Sequence, residues 1–408
     1  MSTSVFPGAS EARRIIAVRA LRGFADGLVS VLLAGYLLRL GFSTVQVGVL
    51  VAGTLLGSAA LTIAVGVTAH RFDRRRLLLL ACVLMLCTGL GFVLATSFWP
   101  LLVIAVVGTL NPSSGDVSVF LPTEQAALAD ATALAQRTQL FARYNVAGNV
   151  AAALGALASA LPALVAGGLG LPLVDAERAG FAVYAAVAVV SALVYRGLAS
   201  TSEAASAHGE VAPSRARPLR HSRANVLRLA ALFSLDSFGG GFVVQAMLVL
   251  WLHQRFALSV EAAGMIFFVA GLASALAQLA SPALAGRFGL VETMVGTHLP
   301  ANVLLIVAGV APNASVAVAA LLGRAALSQM DVPPRQAYVM AIVPPAERAA
   351  AASLTNVPRS LAAAIPPLFT GVMLSHSTFG WPLVCAGGVK LLYDVLLLVQ
   401  ERGRSVEL

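Results

Sequence analysis

Charged residues are scarce in this 408-residue sequence and make up only 11% of it. A soluble protein of this size carries about twice that fraction. Hydrophobic residues make up 59% of the chain, and the mean hydropathy is +0.87. Apolar runs of about 20 residues, the length that crosses a bilayer, recur from one end to the other. The composition therefore predicts an all-α protein with many membrane-spanning helices.

Lysine is almost absent, because Lys390 is the only lysine among the 27 basic residues. A phosphate-binding loop needs lysine followed by serine or threonine, but Leu391 follows Lys390. This excludes an ATP-binding site of that kind, so a transporter would draw on a gradient. The net charge of +9 would suggest nucleic acid in a soluble protein. Here the arginines cluster in short connections between apolar runs, so we expect no nucleic-acid partner.

Cysteine is also rare, and Cys82, Cys87 and Cys385 all lie inside apolar runs without the spacing of metal ligands. We interpret them as packing residues and predict neither a metal nor a cofactor. The sequence also lacks a nucleophile elbow, so we predict that the protein is not an enzyme.

The apolar runs predict twelve spans. They begin near Ile15, Val45, Leu77, Trp99, Thr138, Gly180, Val226, Ala262, Glu292, Ala314, Ala350 and Trp381. Arginines concentrate in alternate connections, such as 71–76 between spans two and three. The positive-inside rule then puts both termini in the cytoplasm and the protein in the cytoplasmic (inner) membrane of a bacterium.

The two halves of the chain are copies. Gln125, Arg137 and Asn145 recur at Gln336, Arg348 and Asn356, a constant separation of 211. Earlier in each half the separation is 216, as between Ser43 and Ser259. We predict two six-helix bundles, residues 1–198 and 226–408, joined by a flexible cytoplasmic linker at 199–225.

The connection between spans two and three carries a recognisable motif. Residues 66–75 resemble the Gly-x-x-x-Asp-Arg-x-Gly-Arg-Arg signature of the major facilitator superfamily, with His70 in place of the Asp and Asp73 in place of the second Gly. The resemblance implies an alternating-access transporter whose central cavity is lined by spans one, four, seven and ten. We expect it to work as a monomer on a small solute.

Three charged residues in span one form the first candidate site. Arg19, Arg22 and Asp26 fall within an arc of about 60° on a helix, although charges inside a bilayer are costly. Arg22 and Asp26 are helical neighbours that could simply neutralise each other. Alternatively, Asp26 is a carboxylate that carries the coupling proton. We predict that role for Asp26, with Asp236 as the next choice.

Further candidates lie in other spans, and intramembrane polar residues generally mark substrate or ion paths. The predicted substrate and coupling residues beyond span one are Asp236, Gln245, Arg324, Arg359, Asn111 and Asn145. Gln245 lies opposite Asp236 on a straight helix, so both can face a cavity only if the glycines at 239–241 break the span. We expect Lys390 and Asp394 to neutralise each other.

A second group is predicted to close the cytoplasmic side. Asp116 and Asp331 recur near the cytoplasmic ends of spans four and ten. We expect them to pair with Arg74 and Arg287 respectively. The complete predicted gate is His70, Arg71, Asp73, Arg74, Asp116, Arg287 and Asp331.

Three functions remain open on the sequence. The first is a secondary transporter that exports a small amphipathic compound or metabolite in exchange for protons, since the cavity holds acidic and basic groups. The second is a proton-coupled transporter of a small organic or inorganic anion, since the cavity arginines outnumber the carboxylates. The third is a solute-sensing receptor on a transporter fold, which would need a signalling domain.

The predicted topology can be tested at the linker. A Glu210→Cys variant, in a background without the three native cysteines, should react with an impermeant thiol reagent only from the cytoplasmic side. Labelling from the opposite side of intact cells would contradict the topology.

Overall fold

In the computed structural model, the described residues are 7–68, 73–113, 120–130, 134–198, 222–344 and 347–401. Within these ranges the regular structure is helical. The first half contains α1 (Pro7–Arg39), α2 (Thr44–Thr68), α3 (Arg74–Leu94), α4 (Phe98–Val107), α5 (Leu121–Asp130), α6 (Leu134–Ala158), α7 (Leu161–Leu169) and α8 (Leu173–Arg196). The second half contains α9 (Arg223–Gly241), α10 (Gln245–Phe256), α11 (Val260–Phe288), α12 (Leu290–Val310), α13 (Ala314–Ser328), α14 (Val332–Ala341), α15 (Arg348–Ala364), α16 (Pro366–His376) and α17 (Trp381–Glu401). The predicted all-α class is confirmed.

Nine helical stretches in the described residues are long and apolar enough to cross a membrane. They coincide with nine of the twelve predicted spans. The other three predicted spans, one, four and ten, correspond to α1, α4 and α13. Helix α1 carries several charges, while α4 and α13 have only 10 and 15 residues. These three spans, which are not long apolar helices, are among those expected to line the cavity. The count of twelve spans stays a prediction.

The chain divides into two compact units. Unit 1 comprises Met1–Phe42, Gly53–Ala212 and Val260–Phe268. Unit 2 comprises Ser43–Ala52, Pro213–Ser259 and Val269–Leu408. Most of the predicted linker, residues 199–221, lies outside the described residues.

Small residues bring α1 and α6 together in unit 1. A Cβ on Gly27 would lie 1.9 Å from the Ala152 carbonyl oxygen, and a Cβ on Gly23 would lie 2.5 Å from the Gly148 carbonyl oxygen. Close backbone approach of this kind is a common way to pack membrane helices. It places the Arg19 guanidinium of α1 beside the ring of Tyr144 on α6.

Span seven is broken in unit 2. Helix α9 ends at Gly241 and α10 begins at Gln245. A Cβ on Gly241 would lie 2.3 Å from the Ala363 carbonyl oxygen of α15. The Thr370 hydroxyl donates to the Phe242 carbonyl at 3.0 Å, satisfying a backbone acceptor at the break. Asp236 and Gln245 therefore lie on separate helices.

Ser43 and Gln46 form a capping box at the start of α2. The Ser43 backbone amide donates to Gln46 Oε1 at 2.8 Å, and the Gln46 amide donates to Ser43 Oγ at 3.3 Å. The two side chains thus satisfy backbone donors that the first helical turn leaves open.

The close contact of α1 with α6 predicts intolerance of any side chain at Gly27. Gly27→Ala should lower the folded yield and the apparent Tm in detergent, because the new methyl group overlaps backbone. Gly168→Ala in α7 is the matched control, since a Cβ there meets nothing within 4 Å. Equal behaviour of the two variants would contradict the packing.

Candidate functional site

The central interaction of unit 1 is a buried ion pair between α1 and α5. Arg22 donates from Nη2 to Glu124 Oε2 at 2.5 Å, and the two side chains are only 2% and 0% exposed. The same guanidinium lies 3.8 Å from the ring centroid of Phe120. Two charges at this depth are stable only if they are paired and hydrogen-bonded.

Glu124 accepts more than the arginine. The hydroxyl of Tyr144 on α6 donates to Oε2 at 2.5 Å, and the hydroxyl of Tyr195 on α8 donates to Oε1. A carboxylate has lone pairs enough for all three donors. One carboxylate therefore connects four helices of unit 1.

Asp26 is left without such a partner. The alternative in which Arg22 and Asp26 neutralise each other does not hold, because the described ion pair of Arg22 is with Glu124. Asp26 is 8% exposed and makes no hydrogen bond or ion pair with any residue that the structure describes. Arg19 is also buried, and its guanidinium lies 5.3 Å from the ring centroid of Tyr144. Asp26 can thus gain or lose a proton without first breaking an ion pair.

Span four unwinds where its candidate residue lies. Helix α4 ends at Val107, and buried Asn111 follows in an irregular segment. Its Oδ1 accepts from the Ser113 amide at 3.1 Å and from the Ser113 hydroxyl at 2.8 Å. Asn145 is half-buried on α6. The structure thus gives Asn111 a local role in the turn.

Unit 2 has its own buried carboxylate, on α9. Asp236 Oδ1 accepts from Lys390 Nζ at 2.5 Å, and Oδ2 accepts from Arg335 Nη1 at 3.1 Å. His298 Nε2 lies 3.5 Å from Oδ1. Asp236 therefore has three cationic or potentially cationic neighbours, which makes it a structural anchor more than a free carboxylate.

Two predicted pairings are corrected here. Lys390 and Asp394 do not neutralise each other, since Lys390 contacts Asp236 and Asp394 contacts His298 at 2.7 Å. Asp331 pairs with Arg335 at 3.3 Å. It does not pair with Arg287, which is exposed at the end of α11. The first prediction failed because it used spacing along one helix and ignored neighbouring helices, and the second overlooked Arg335, four residues after Asp331.

The deep arginines of unit 2 have different surroundings. Arg359 donates from Nε to Ser237 Oγ at 3.1 Å and from Nη1 to Asn356 Oδ1 at 3.3 Å. Arg324, on α13, makes no hydrogen bond or ion pair with the described residues, and its Nε is buried without a partner. Gln245 is half-buried at the start of α10.

Sequence reasoning missed Glu124 and Arg335, which are both buried in helices. A signal was present, because Arg335 follows Glu124 by 211 residues, the separation that relates the two halves. Ionisable residues at equivalent repeat positions indicate equivalent interior sites.

The predicted gate is described only in part. His70, Arg71 and Asp116 lie outside the described residues. Asp73 immediately precedes α3, and Arg74 is its first residue. The gate role of these residues stays a prediction.

The sequence profile of the Major Facilitator Superfamily matches residues 15–327. The chain belongs to the Major Facilitator Superfamily. An uncharacterised membrane protein of Saccharomyces cerevisiae is 26% identical over 358 residues, which cover 81% of this chain and 80% of the yeast protein.

Two solved structures show the same superfamily fold. A D-xylose–proton symporter superimposes with a TM-score of 0.74, at 18% identity, over 94% of this chain and 96% of its own. The human organic anion transporter MFSD10 gives a TM-score of 0.64, at 19% identity, over 95% of this chain and 99% of its own. The predicted superfamily is confirmed, and the protein is a multi-pass membrane protein with the fold of a secondary transporter.

The Arg22–Glu124 pair predicts a large cost for neutralising one partner. Glu124→Gln should destabilise unit 1 by about 3–5 kcal/mol, because a buried arginine loses its counter-charge. Tyr195→Phe should cost about 1 kcal/mol, the value of one hydrogen bond. Apparent Tm in detergent measures both, and Asp175→Asn, at an exposed surface pair, is the control. A Glu124→Gln variant as stable as this control would contradict the anchoring role.

Proposed function

We propose that this protein is a proton-coupled secondary transporter that exports a small amphipathic compound or metabolite by alternating access. Its place is the cytoplasmic membrane of a bacterium, with both termini inside. The observation that carries the proposal is that Asp26 is buried and makes no hydrogen bond or ion pair with the described residues. The interior carboxylates Glu124, Asp236 and Asp394 contact cationic partners or histidine, whereas Asp26 is buried without one.

The surroundings of Asp26 suit reversible protonation. Unpaired charge is unfavourable at this depth, so taking up a proton removes the cost of burying the anion. Arg22 and Arg19 lie on the same face of α1 and favour the anion again when the proton leaves. The two states of Asp26 therefore differ in charge next to the polar face of α1. Such a difference can bias the two conformations of an alternating-access cycle.

Fold similarity supports the coupling without deciding the solute. The D-xylose–proton symporter is named for its use of protons, and its fold resembles this chain. In our scheme a proton entering down its gradient would neutralise Asp26, and solute would leave in exchange. The partners are thus a small molecule, protons and the lipid bilayer.

Asp26→Asn tests the coupling. In proteoliposomes screened with a panel of amphipathic and anionic solutes, the variant should lose transport driven by a pH gradient, because asparagine cannot release a proton. It should still exchange solute across the membrane when both sides hold it at equal pH. Asp175→Asn, an exposed carboxylate on α8, should retain both activities.

If the Asp26→Asn variant keeps full transport driven by a pH gradient, Asp26 is not the coupling site. Wild-type protein that binds solutes but moves none would instead favour the solute-sensing receptor.

A second candidate function, transport of a small organic or inorganic anion, is favoured by Arg324. The carboxylate within electrostatic range of Arg324 is Asp236, which already contacts Lys390 and Arg335. Arg359 in turn donates only to neutral groups among its described hydrogen-bond partners. An anionic solute would supply the missing counter-charge. The resemblance to the human organic anion transporter supports this candidate by fold.

Arg324→Gln separates the two candidates. If the solute is an anion, the variant should weaken its binding by about 10-fold or more, since a charge-assisted hydrogen bond contributes about 1.5–3 kcal/mol. Arg196→Gln, exposed at the end of α8, is the control. Unchanged affinity for an anion that the wild type transports would exclude Arg324 from the site.

A further inference from the structure

Arg359 on α15 is held by two neutral side chains. Its Nε donates to Ser237 Oγ on α9 at 3.1 Å, and its Nη1 donates to Asn356 Oδ1, one turn earlier on α15, at 3.3 Å. A guanidinium has five N–H hydrogens, so three remain and both Nη atoms keep at least one. Among the residues that the structure describes, no carboxylate contacts Arg359. The charged end of this side chain is therefore open to an acceptor.

The two partners of Arg359 also have hydrogens left to donate. Because arginine can only donate, Ser237 Oγ and Asn356 Oδ1 face it as acceptors. The hydroxyl hydrogen of Ser237 and the two Nδ2 hydrogens of Asn356 then remain, and neither side chain donates a hydrogen bond to a described residue. The three side chains together offer hydrogen-bond donors and no carboxylate, which is the chemistry of an anion site.

Nearby hydroxyls on the same two helices are used differently. Ser234, Thr355 and Ser360 donate to backbone carbonyls four residues earlier, at 2.6, 2.9 and 3.2 Å. Hydroxyls inside helices often satisfy themselves in this way. Ser237 instead accepts from Arg359 and keeps its own hydrogen. This difference marks Ser237 as part of a donor set and not as an ordinary helix-interior serine.

The charged network around Asp236 has an excess of positive charge. Arg324 and Arg359 lie within electrostatic range of Asp236, in addition to the residues that contact it. The negative residues of the network are Asp236, Asp331 and Asp394, and the positive ones are Lys390, Arg335, Arg324 and Arg359. Positive charges therefore exceed negative ones by one when His298 is neutral and by two when it is charged.

The other charged residues of unit 2 that are not fully exposed do not reverse this excess. Glu347 and Arg228 lie near the start of α9 and have opposite charges. Arg255 lies in the last turn of α10 and is itself a cation. Because uncompensated charge is costly inside a membrane, the network favours a bound anion whatever the state of the histidine.

Apolar surface lies next to the donor set. Phe238 follows Ser237 on α9 and is half-buried. Its ring packs edge-on against that of Phe242, with the centroids 5.5 Å apart. Apolar side chains beside a few polar groups are typical of small-molecule sites, in which the polar groups fix the orientation of the ligand.

We propose that Arg359, Ser237 and Asn356 bind the carboxylate group of an amphipathic monocarboxylate. Two carboxylate oxygens can accept from the two Nη atoms in parallel and still accept from the hydroxyl and the amide. A single negative charge also matches the excess of one. Arg359 and Ser237 are half-buried and Asn356 is exposed, so a solute can reach them. The proposal rests on the proposed transport of a small amphipathic compound and names the charged group of that compound.

Ligand-dependent stability in detergent tests the site without transport. Acetate and benzoate should each raise the apparent Tm of the wild-type protein, because a ligand that binds the folded state stabilises it. The neutral analogues acetamide and benzamide should not, and chloride at the same concentration and ionic strength should have a smaller effect. If neither carboxylate exceeds its amide, or if chloride equals both carboxylates, the carboxylate site is overturned.

Asn356→Asp is the sharpest variant. The new carboxylate would lie beside Arg359 and compete with the ligand for it, so benzoate should bind about 10-fold more weakly or worse. The position is exposed and the side chain keeps its size, so the variant should fold. Asn225→Asp, at an exposed position of α9, adds the same charge elsewhere in unit 2 and should bind like the wild type. Equal benzoate affinity in the two variants would contradict the proposal.

A transport assay separates this proposal from the function on which it rests. With the solute that the liposome screen identifies, Asn356→Asp should raise KM by about 10-fold or more, and Asn225→Asp should leave it unchanged. If the wild type transports a solute and Asn356→Asp keeps its KM, only the carboxylate site fails. If carboxylates bind as expected but no solute is transported by any variant, the proposed function fails and the binding site stands.

Discussion

An ion inside a membrane needs a counter-charge, and each unit of this protein meets that need in the same place. In unit 1 a cation on α1, Arg22, pairs with an anion on α5, Glu124. In unit 2 an anion on α9, Asp236, pairs with a cation on α14, Arg335. Glu124 and Arg335 occupy equivalent positions of the internal repeat, and each pairs with a charge of opposite sign on the first span of its own half. In both halves the ion pair fixes the first span to the segment that follows the fourth.

Two charged residues lie beside these ion pairs but do not take part in them. Asp26 lies one turn beyond Arg22 but is excluded from the pair, and Arg324 lies near Asp236 but finds it occupied. A fully paired charge is a structural element, since changing it breaks the helix packing around it. An unpaired one can respond to a proton or a solute at little cost to the fold. We infer that the unpaired residues, more than the paired ones, carry the transport chemistry.

The sequence was sufficient for features that depend on local period or on the repeat. The spacing of Arg19, Arg22 and Asp26 predicted that these three residues share one face of α1. The sequence could not predict which charged residues pair. Lys390 and Asp394 are neighbours on one helix, but their partners lie on α9 and α12. Glu124 follows an apolar span that unwinds early, so its burial depends on the tyrosines of α6 and α8. Those contacts join residues far apart in sequence.

The most direct test of this account measures protons and not solute. Wild-type proteoliposomes containing a pH-sensitive dye would receive an outward gradient of the transported solute, with no pH difference at the start. The account predicts that solute leaving the lumen brings protons in, so that the lumen acidifies, and that Asp26→Asn abolishes the acidification. Solute efflux from wild-type liposomes with no change in lumenal pH would contradict proton coupling.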